Sequence, residues 1–394
     1  MRNWILPEYI EDVLPAEATR IEQLRRNLLD LFKVHGYQYV IPPLLEYLES
    51  LITGVGHDLD LATFKVVDQL SGRLMGVRAD MTPQAARIDA HMLNNKGVTR
   101  LCYAGSVLRT QAGGLAQTRE PLQVGAELFG HAGVESDIEI QGLMVKALQL
   151  MGVQSLHVDF NHVGIFASLV DQGRIAGPLE QSLYGALQSK DRVSVISLTQ
   201  GMDATIRDAL VSLVELNGNI DVLDEAQKIL PPTAQVRQAI DDLRLAGRHM
   251  MSLGVKACYD LAELRGYHYH SGMVFTAYAA GYSGPLALGG RYDEVGSAFG
   301  RARPATGFSL DLRGIVSALP PATPEKAIFA PFGDDPTLTM KIEELRNAGH
   351  VIMQELPGHE EHRAELNCDR KLVKQGDGWQ VVAAPELLTQ DNDK

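Results

Sequence analysis

The segment LRGYHYHSGMVF, Leu264 to Phe275, joins a dense group of polar side chains to the start of an apolar, β-rich run. An arginine, two tyrosines and two histidines occur within it: Arg265, Tyr267, His268, Tyr269 and His270. A strand-edge segment of this kind supplies a pocket with hydrogen-bond donors, acceptors and a fixed positive charge. A surface loop with half-buried rings has the same composition, so this segment alone leaves both interpretations open.

The bulk composition is typical of a globular protein with one large domain and one or two small ones. The chain has 394 residues, of which 45% are hydrophobic and 22% charged. No run approaches the roughly 20 apolar residues of a membrane span, and the acidic, proline-interrupted start does not resemble a signal peptide. Cys102, Cys258 and Cys368 lack metal-like or redox-like spacing. We therefore expect a cytoplasmic protein with reduced thiols and with no metal or cofactor.

The charge pattern argues against a nucleic-acid partner. The net charge is −13, and the longest basic cluster is Arg25-Arg26. Proteins that bind a phosphate backbone concentrate lysine and arginine, because neutralising the phosphates drives binding.

The first hundred residues predict helices and strands in alternation. Apolar spacing predicts a helix over 17–35, stopped by Gly36, and then a strand over 37–41 that ends at two prolines. Strands follow at Phe64–Val67 and Leu74–Arg78. Thr82 before Pro83 predicts the cap of a helix that runs to about Asn94.

Residues 98–130 predict two strands around the glycine-rich loop AGGLAQ. Gln123 and Glu127 are four residues apart on the second strand, so both side chains lie on one face. A buried carboxylate without a partner is unfavourable. We therefore expect Glu127 to face a cation or a ligand donor.

The second half of the chain predicts a helical insertion and a small terminal unit. A helix over 136–150 and a strand over 156–160 precede mainly helical spacing over 163–255. Short apolar strands around a helix at Thr337–Ala348 predict a small α/β unit. The expected domains are 1–320 and 325–394.

Three motifs in order resemble those of histidyl-tRNA synthetase, a class II synthetase. They are LRGYHYHSGMVF, GGRYDEV (Gly289–Val295) and PATGFSLDLRG (Pro304–Gly314). The long helix, strand and proline at the start resemble the first class II motif, which builds a dimer interface. The resemblance implies an α+β fold: a mainly antiparallel sheet flanked by helices, with a helical insertion and a small C-terminal α/β unit.

The resemblance also implies a histidine site. It implies that Arg109 and Arg265 hold the carboxylate and that Asp80, Thr82 and Gln123 hold the amino group. It also implies that Glu127, Tyr269 and His270 contact the imidazole. Tyr267 and His268 are possible additional pocket residues. Two positions depart from the synthetase pattern: Asp80 replaces a longer glutamate, and His270 replaces the tyrosine that binds the imidazole.

The ATP side of the motifs departs further. Gln111, Gln117 and Pro121 replace a glutamate, an arginine and an aromatic ring of the second motif. Gly314 stands where the third motif has its terminal arginine, and Arg313 comes one position early. One residue on a helix is about 100° of rotation, so Arg313 is expected to point away from a phosphate.

The segments LPEYIEDVLP, RADMTPQAARIDAH and REPLQVGAELFGHAG are similar to those of the regulatory subunits of ATP phosphoribosyltransferase, which are synthetase paralogues. This resemblance implies a cytoplasmic, non-catalytic subunit that binds and activates the short-form catalytic subunit. It would let L-histidine inhibit the first step of histidine biosynthesis. Three alternatives remain: an active histidyl-tRNA synthetase, a stand-alone histidine or tRNA sensor, and an enzyme that adenylates another amino acid.

Overall fold

The structure is a computed structural model, and it describes residues 4–53, 57–113, 115, 117–267, 269–321 and 325–388. The chain divides into two compact units, Met1–Pro320 and Pro321–Lys394. All of the described residues that the sequence predicts for the site belong to the larger unit.

The described part of the larger unit contains a nine-stranded sheet and a three-stranded sheet. Its strands are β1 (Gln38–Tyr39), β2 (Leu45–Tyr47), β3 (Phe64–Val67), β4 (Leu74–Val77), β5 (Thr99–Ser106), β6 (Leu122–Phe129), β7 (Leu156–His162), β8 (Asn217–Gly218), β9 (Lys256–Asp260), β10 (Met273–Ala279), β11 (Ala287–Arg291) and β12 (Ala305–Asp311). The nine-stranded order is β1-β5-β6-β12-β11-β10-β7-β9-β8, and neighbours from β5 to β7 are antiparallel. The predicted mainly antiparallel sheet is confirmed.

Helices flank this sheet, as the sequence predicts. Those of the larger unit are α1 (Pro15–Val34), α2 (Leu48–Leu51), α3 (His57–Ala62), α4 (Thr82–Arg87), α5 (Val134–Leu150), α6 (Val163–Gln172), α7 (Pro178–Gln188), α8 (Arg192–Leu198), α9 (Ala204–Leu213), α10 (Asp221–Ile229), α11 (Ala234–Ser252) and α12 (Leu312–Ala318). A π-helical stretch, Ile88–Leu93, continues α4 and ends at Asn94, whose φ is 47°. Among the described helices, none is long and apolar enough to cross a membrane.

The two faces of the sheet have different roles because side chains alternate along each strand. On one face, Val124 and Ala126 of β6 join the large apolar core formed with α1 and α5, where Phe32 meets Phe308 edge-on at 6.0 Å. On the other face, Tyr103 of β5 joins a smaller cluster beneath α4. Gln123 and Glu127 have the opposite parity to Val124 and Ala126, so they belong to the second face.

The predicted helical insertion forms between β7 and β9 and consists of helices α6 to α11, apart from the two-residue strand β8. Four of its helices begin where a side chain accepts a backbone N–H: His162 from Gly164, Asp191 from Ser194, Asp203 from Thr205, and Thr233 from Val236. Such caps satisfy donors that a helix start leaves unpaired. Its buried side chains, including Leu187 and Leu210, belong to the same apolar core as the sheet. The insertion therefore packs on the sheet and is not a separate body.

The described part of the smaller unit has one α-helix, two short 3₁₀ helices and a four-stranded sheet in the order β14-β13-β15-β16. Its elements are β13 (Ala327–Ala330), α13 (Pro336–Asn347), β14 (Ile352–Gln354), β15 (Cys368–Gln375) and β16 (Gly378–Ala383). β13 pairs in parallel with β14 and β15, and β15 and β16 form an antiparallel hairpin. Ile342 of α13 packs on Ile328 and Leu372. The predicted small α/β unit is confirmed as a fold.

Candidate functional site

A cavity of about 240 Å³ lies along β6, β10, β11 and β12. The eight side chains that the sequence assigns to histidine all line it: Asp80, Thr82, Arg109, Gln123, Glu127, Arg265, Tyr269 and His270. They come from four separate parts of the chain, and the sheet brings them together. The rest of the lining consists of three glycines and six other residues: Val274, Thr276, Leu288, Tyr292, Phe308 and Ser309.

Of the two additional candidates, Tyr267 is not among the described residues that line this cavity. Tyr267 points toward the helical insertion, where its ring meets Phe166 at 5.0 Å and its hydroxyl donates to Glu180 Oε1 at 3.1 Å. The prediction of Tyr267 as a pocket residue is therefore wrong, because the chain reverses at Gly266, whose φ is 69°. His268 lies outside the described residues.

Asp80, Thr82 and Gln123 form one hydrogen-bonded group. Asp80 Oδ1 accepts from Gln123 Nε2 at 2.8 Å and from the Thr82 backbone N–H at 2.9 Å. Gln123 Oε1 accepts from the Met81 N–H at 2.9 Å. Thr82 is not the predicted helix cap, because it is the first residue of α4 and its hydroxyl lies 3.0 Å from that of Tyr103. The group presents a carboxylate and hydroxyl and amide oxygens, which suit an ammonium ion.

Glu127 is buried, with 1% of its surface exposed, and its direct partners are two phenols. Tyr103 donates to Oε1 at 2.7 Å, and Tyr292 donates to Oε2. Burial raises the pKa of Glu127 to about 8, although the two hydrogen bonds act in the opposite direction. The sequence predicts that this carboxylate faces a cation or a ligand donor. In the structure, the two phenols supply part of its hydrogen bonding before any ligand binds.

Tyr103 and Tyr292 are the site residues that the sequence analysis misses. Tyr103 lies opposite Gly125 on the neighbouring strand. A Cβ at Gly125 would lie 2.5 Å from the Tyr103 hydroxyl, and one at Gly307 would lie 1.5 Å from Glu127 Oε2. Both glycines therefore make room for the buried phenol–carboxylate group. The sequence shows the two glycines, but which side chain each glycine faces depends on the strand register.

Two guanidinium groups lie at the cavity. Arg109 donates through Nε to the Ala79 carbonyl at 3.3 Å, and among the described residues it forms no ion pair. Arg265 is half exposed and lies 3.7 Å from Glu263, a loose contact. Both therefore retain donors for a ligand carboxylate, which a planar guanidinium binds with two parallel hydrogen bonds.

The aromatic end of the cavity contains Tyr269 and His270. Tyr269 stacks on Tyr292 at 5.3 Å and meets the His270 ring edge-on at 5.2 Å. The buried Tyr269 hydroxyl has no hydrogen-bond partner among the described residues. His270 Nδ1 lies 3.2 Å from the Gly266 carbonyl, and burial lowers the pKa of this ring to about 4. At neutral pH His270 is therefore uncharged.

Comparison with known proteins decides the family. Residues 9–315 match the histidyl-tRNA synthetase family, and residues 325–382 match the ATP phosphoribosyltransferase subunit HisZ C-terminal domain. The ATP phosphoribosyltransferase regulatory subunit of Methylobacillus flagellatus is 67% identical over 98% of this chain and 100% of its own length. That of Cupriavidus necator is 54% identical over 96% and 99%. The chain belongs to the family of ATP phosphoribosyltransferase regulatory subunits.

Solved structures agree with this family and with the predicted fold. An ATP phosphoribosyltransferase regulatory subunit/histidyl-tRNA synthetase from Bacillus halodurans is 25% identical, with a TM-score of 0.79 over 90% of this chain and 94% of that one. A histidyl-tRNA synthetase from a Nostoc species, 18% identical, covers 98% and 99% with a TM-score of 0.76 and shows the shared fold. The predicted class II synthetase-like core is confirmed, as is the prediction of a regulatory subunit.

Two charged groups lie on the side of the cavity that the resemblance to the synthetases assigns to ATP. Arg313, on α12, is bound to the N-terminal segment: its Nη2 donates to the Glu11 carbonyl at 3.0 Å and lies 3.3 Å from Glu11 Oε1. It is not among the residues that line the cavity. Asp311, two residues earlier in sequence, adds a half-buried carboxylate whose pKa is raised by desolvation. An acid next to this cleft disfavours a polyphosphate.

Proposed function

We propose that this chain binds and activates the short-form catalytic subunit of ATP phosphoribosyltransferase and makes that enzyme sensitive to L-histidine. The observation that carries the proposal is the asymmetry of the cavity. Groups suited to a free amino acid with a nitrogen-containing ring converge on it, whereas Arg313 is bound to Glu11 and Asp311 adds negative charge on the other side. We place this hetero-oligomer in the cytoplasm, and the free cysteines are consistent with that.

The proposed pose of histidine follows from the chemistry of the lining. The carboxylate lies between Arg109 and Arg265, and the ammonium group lies at Asp80, Thr82 and Gln123. The imidazole lies between Glu127 and the Tyr269–His270 pair. A cavity of about 240 Å³ is below the range of about 300–1,000 Å³ that is usual for larger ligands. Its size supports a single amino acid.

Regulation by histidine requires two states of the complex that bind histidine with different affinity, since a ligand with equal affinity for both would shift nothing. The test is a rate assay in which the purified catalytic subunit is titrated with this protein, with and without histidine. We expect a saturable rise in rate that histidine reverses. A flat titration with both proteins folded would contradict the proposal. Histidine-dependent exchange of pyrophosphate with ATP would then favour an active synthetase, and binding without exchange a separate sensor.

Replacement of Arg265 by lysine is expected to weaken histidine binding by about tenfold or more. Lysine keeps the positive charge but cannot form the two parallel hydrogen bonds of a guanidinium with a carboxylate. Calorimetry measures the affinity. Arg192→Lys is the matched control, because Arg192 is an exposed arginine of the insertion whose partner is Glu215. Equal affinity in the two variants would show that the carboxylate lies elsewhere.

We also propose that the chain forms a dimer through the segment around β1 and β2. Five large apolar or aromatic side chains of this segment are exposed: Tyr39, Ile41, Leu44, Leu45 and Tyr47. Ile41 is the most exposed of them at 78%. An exposed apolar group of this kind marks an interaction surface, and in class II synthetases the corresponding motif forms the dimer.

The dimer proposal predicts that Ile41→Glu shifts the chain toward monomer in sedimentation experiments, because a charge in an apolar interface is strongly unfavourable. Val193→Glu is the control, since Val193 is equally exposed at 77% but lies on α8 of the insertion. A monomer in the unmodified protein, or the same shift in both variants, would contradict the proposed interface.

A further inference from the structure

His270 offers the cavity a hydrogen-bond acceptor and no donor. Its Nδ1 lies 3.2 Å from the Gly266 carbonyl, and a carbonyl oxygen only accepts, so Nδ1 carries the ring hydrogen. The ring is held in this orientation between two backbones: a Cβ at Gly266 would lie 2.6 Å from Nδ1, and one at Gly290 would lie 2.7 Å from Nε2. Nε2, which forms no hydrogen bond within the described residues, therefore has a lone pair for a ligand.

Glu127 offers the same cavity a second acceptor. The hydroxyl hydrogens of Tyr103 and Tyr292 are directed to its two oxygens. Thr82 then donates to the Tyr103 oxygen at 3.0 Å. These three hydroxyl hydrogens are not available to a ligand. Each carboxylate oxygen has a second lone pair, so Glu127 can accept one further hydrogen bond.

We propose that this cavity binds the histidine ring as an imidazolium, with one N–H donated to Glu127 and the other to His270 Nε2. A neutral imidazole has one N–H and one lone pair, so opposite an ionised Glu127 it leaves an acceptor facing an acceptor at one of the two contacts. Opposite a protonated Glu127, the lone pair of the ring faces the carboxyl O–H, and transfer of that proton gives the imidazolium and the carboxylate. His270 is thus a specificity-determining residue. The proposal rests on the proposed binding of histidine and deepens it by stating the protonation state of the ligand.

The other charged and titratable groups around the cavity fit this arrangement. Asp80 before α4 adds a negative charge, and Arg109 and Arg265 are at the positions proposed for the carboxylate. Tyr103, Tyr269 and Tyr292 stay neutral, because burial raises each phenol pKa well above its usual value. Among the described residues that line the cavity, Glu127 is then the acid that contacts the proposed ring, and Asp80 adds to the negative potential beside it.

The proton for the ring comes from the protein itself. With a pKa of about 8, Glu127 holds a proton in the empty cavity at neutral pH. A free imidazole has a pKa of about 6.5 and is mostly neutral there. On binding, the carboxyl O–H bond breaks and a ring N–H bond forms, which converts a carboxylic acid and a neutral ring into a carboxylate and an imidazolium. No net proton exchange with solvent is required near neutral pH.

The direct test is nuclear magnetic resonance of the full chain with L-histidine labelled in both ring nitrogens by the heavy isotope. We expect both nitrogens of the bound ring to show the shift of a protonated N–H at neutral pH. A bound ring with one unprotonated nitrogen would overturn the inference and would assign the second contact to the unpartnered Tyr269 hydroxyl. Absence of any histidine binding in calorimetry would overturn this inference and the proposed function together.

A second measurement tests the role of His270. Triazolylalanine has nearly the shape of histidine but a much less basic ring, so it resists the second protonation. We expect it to bind about 10- to 100-fold more weakly than histidine, as the loss of a charged hydrogen bond predicts. In His270→Tyr the phenol can donate as well as accept, and the ratio should fall to about threefold or less. Equal affinity of the two ligands for the unmodified chain would overturn the inference.

Discussion

Replacement of Glu127 by glutamine is expected to weaken histidine binding about 100-fold and, at the same time, to stabilise the empty protein at alkaline pH. Loss of a charge-assisted hydrogen bond in a buried site accounts for the weaker binding. The stability effect has the opposite sign because Glu127 is buried with a pKa of about 8, against an ordinary value of 4.5. Glutamine cannot ionise, so this replacement avoids the free-energy cost of ionising a buried carboxyl group at alkaline pH.

The sign of the pH dependence follows from proton linkage. Between about pH 4.5 and 8 the folded state keeps the Glu127 proton while the unfolded state releases it. The stability that the folded state gains from keeping this proton is therefore complete below the unfolded-state pKa. It is lost as the pH rises through the folded-state pKa. The unmodified chain should lose stability over this window, and Glu127→Gln should lose less of it.

Thermal unfolding of the ligand-free chain across this pH window, with calorimetry of histidine binding, measures both effects. Glu343→Gln is the control, because Glu343 is an exposed carboxylate of α13 that pairs with Arg346. A variant that loses stability and affinity together at every pH would indicate that Glu127 is a structural residue only. Unchanged affinity would remove Glu127 from the proposed site.

The alternation of side chains along β6 was sufficient to place Gln123 and Glu127 on one face, and the structure brings both to the cavity. The period of a strand is local, so sequence shows it directly. The local sequence pattern could not predict that Tyr103 and Tyr292 contact Glu127. Their approach to Glu127 depends on the register of β5 with β6 and of β11 with β12, which residues far apart in the chain decide together.

Tyr267 and Thr82 show where local rules failed. The polar side chains of LRGYHYH predict a strand edge that lines a pocket, but this segment turns at Gly266, and Tyr267 packs against the insertion. Thr82 satisfies the rule for a helix cap, but its N–H donates to Asp80, two residues earlier, and its hydroxyl contacts that of Tyr103 on β5. In both cases a contact with a distant element outweighed the local preference, which is common in and around binding sites.

The motif GGRYDEV gives no local signal for the role of Arg291, whose replacement has the second large expected effect. Arg291→Met is expected to reduce the free energy of unfolding by about 3–5 kcal/mol. The guanidinium is buried and donates to Asp137 Oδ2 at 2.8 Å, to Ser136 Oγ at 2.8 Å and to the carbonyls of His131 and Gly133. Methionine fills similar volume but leaves the buried Asp137 carboxylate without its cation.

Two comparisons separate this cause from a general loss of packing. Arg207→Met removes an exposed arginine paired with Asp208, so it should change stability in urea by about 1 kcal/mol or less. Arg291→Met should also recover part of its loss at acidic pH, because desolvation already raises the pKa of Asp137 and protonation removes the unpaired charge. Asp137→Asn added to Arg291→Met should recover stability in the same way at neutral pH. If neither acidic pH nor the second substitution restores stability, the lost stability comes from the carbonyl groups before α5 that no longer accept a hydrogen bond from Arg291. The ion pair with Asp137 then contributes little.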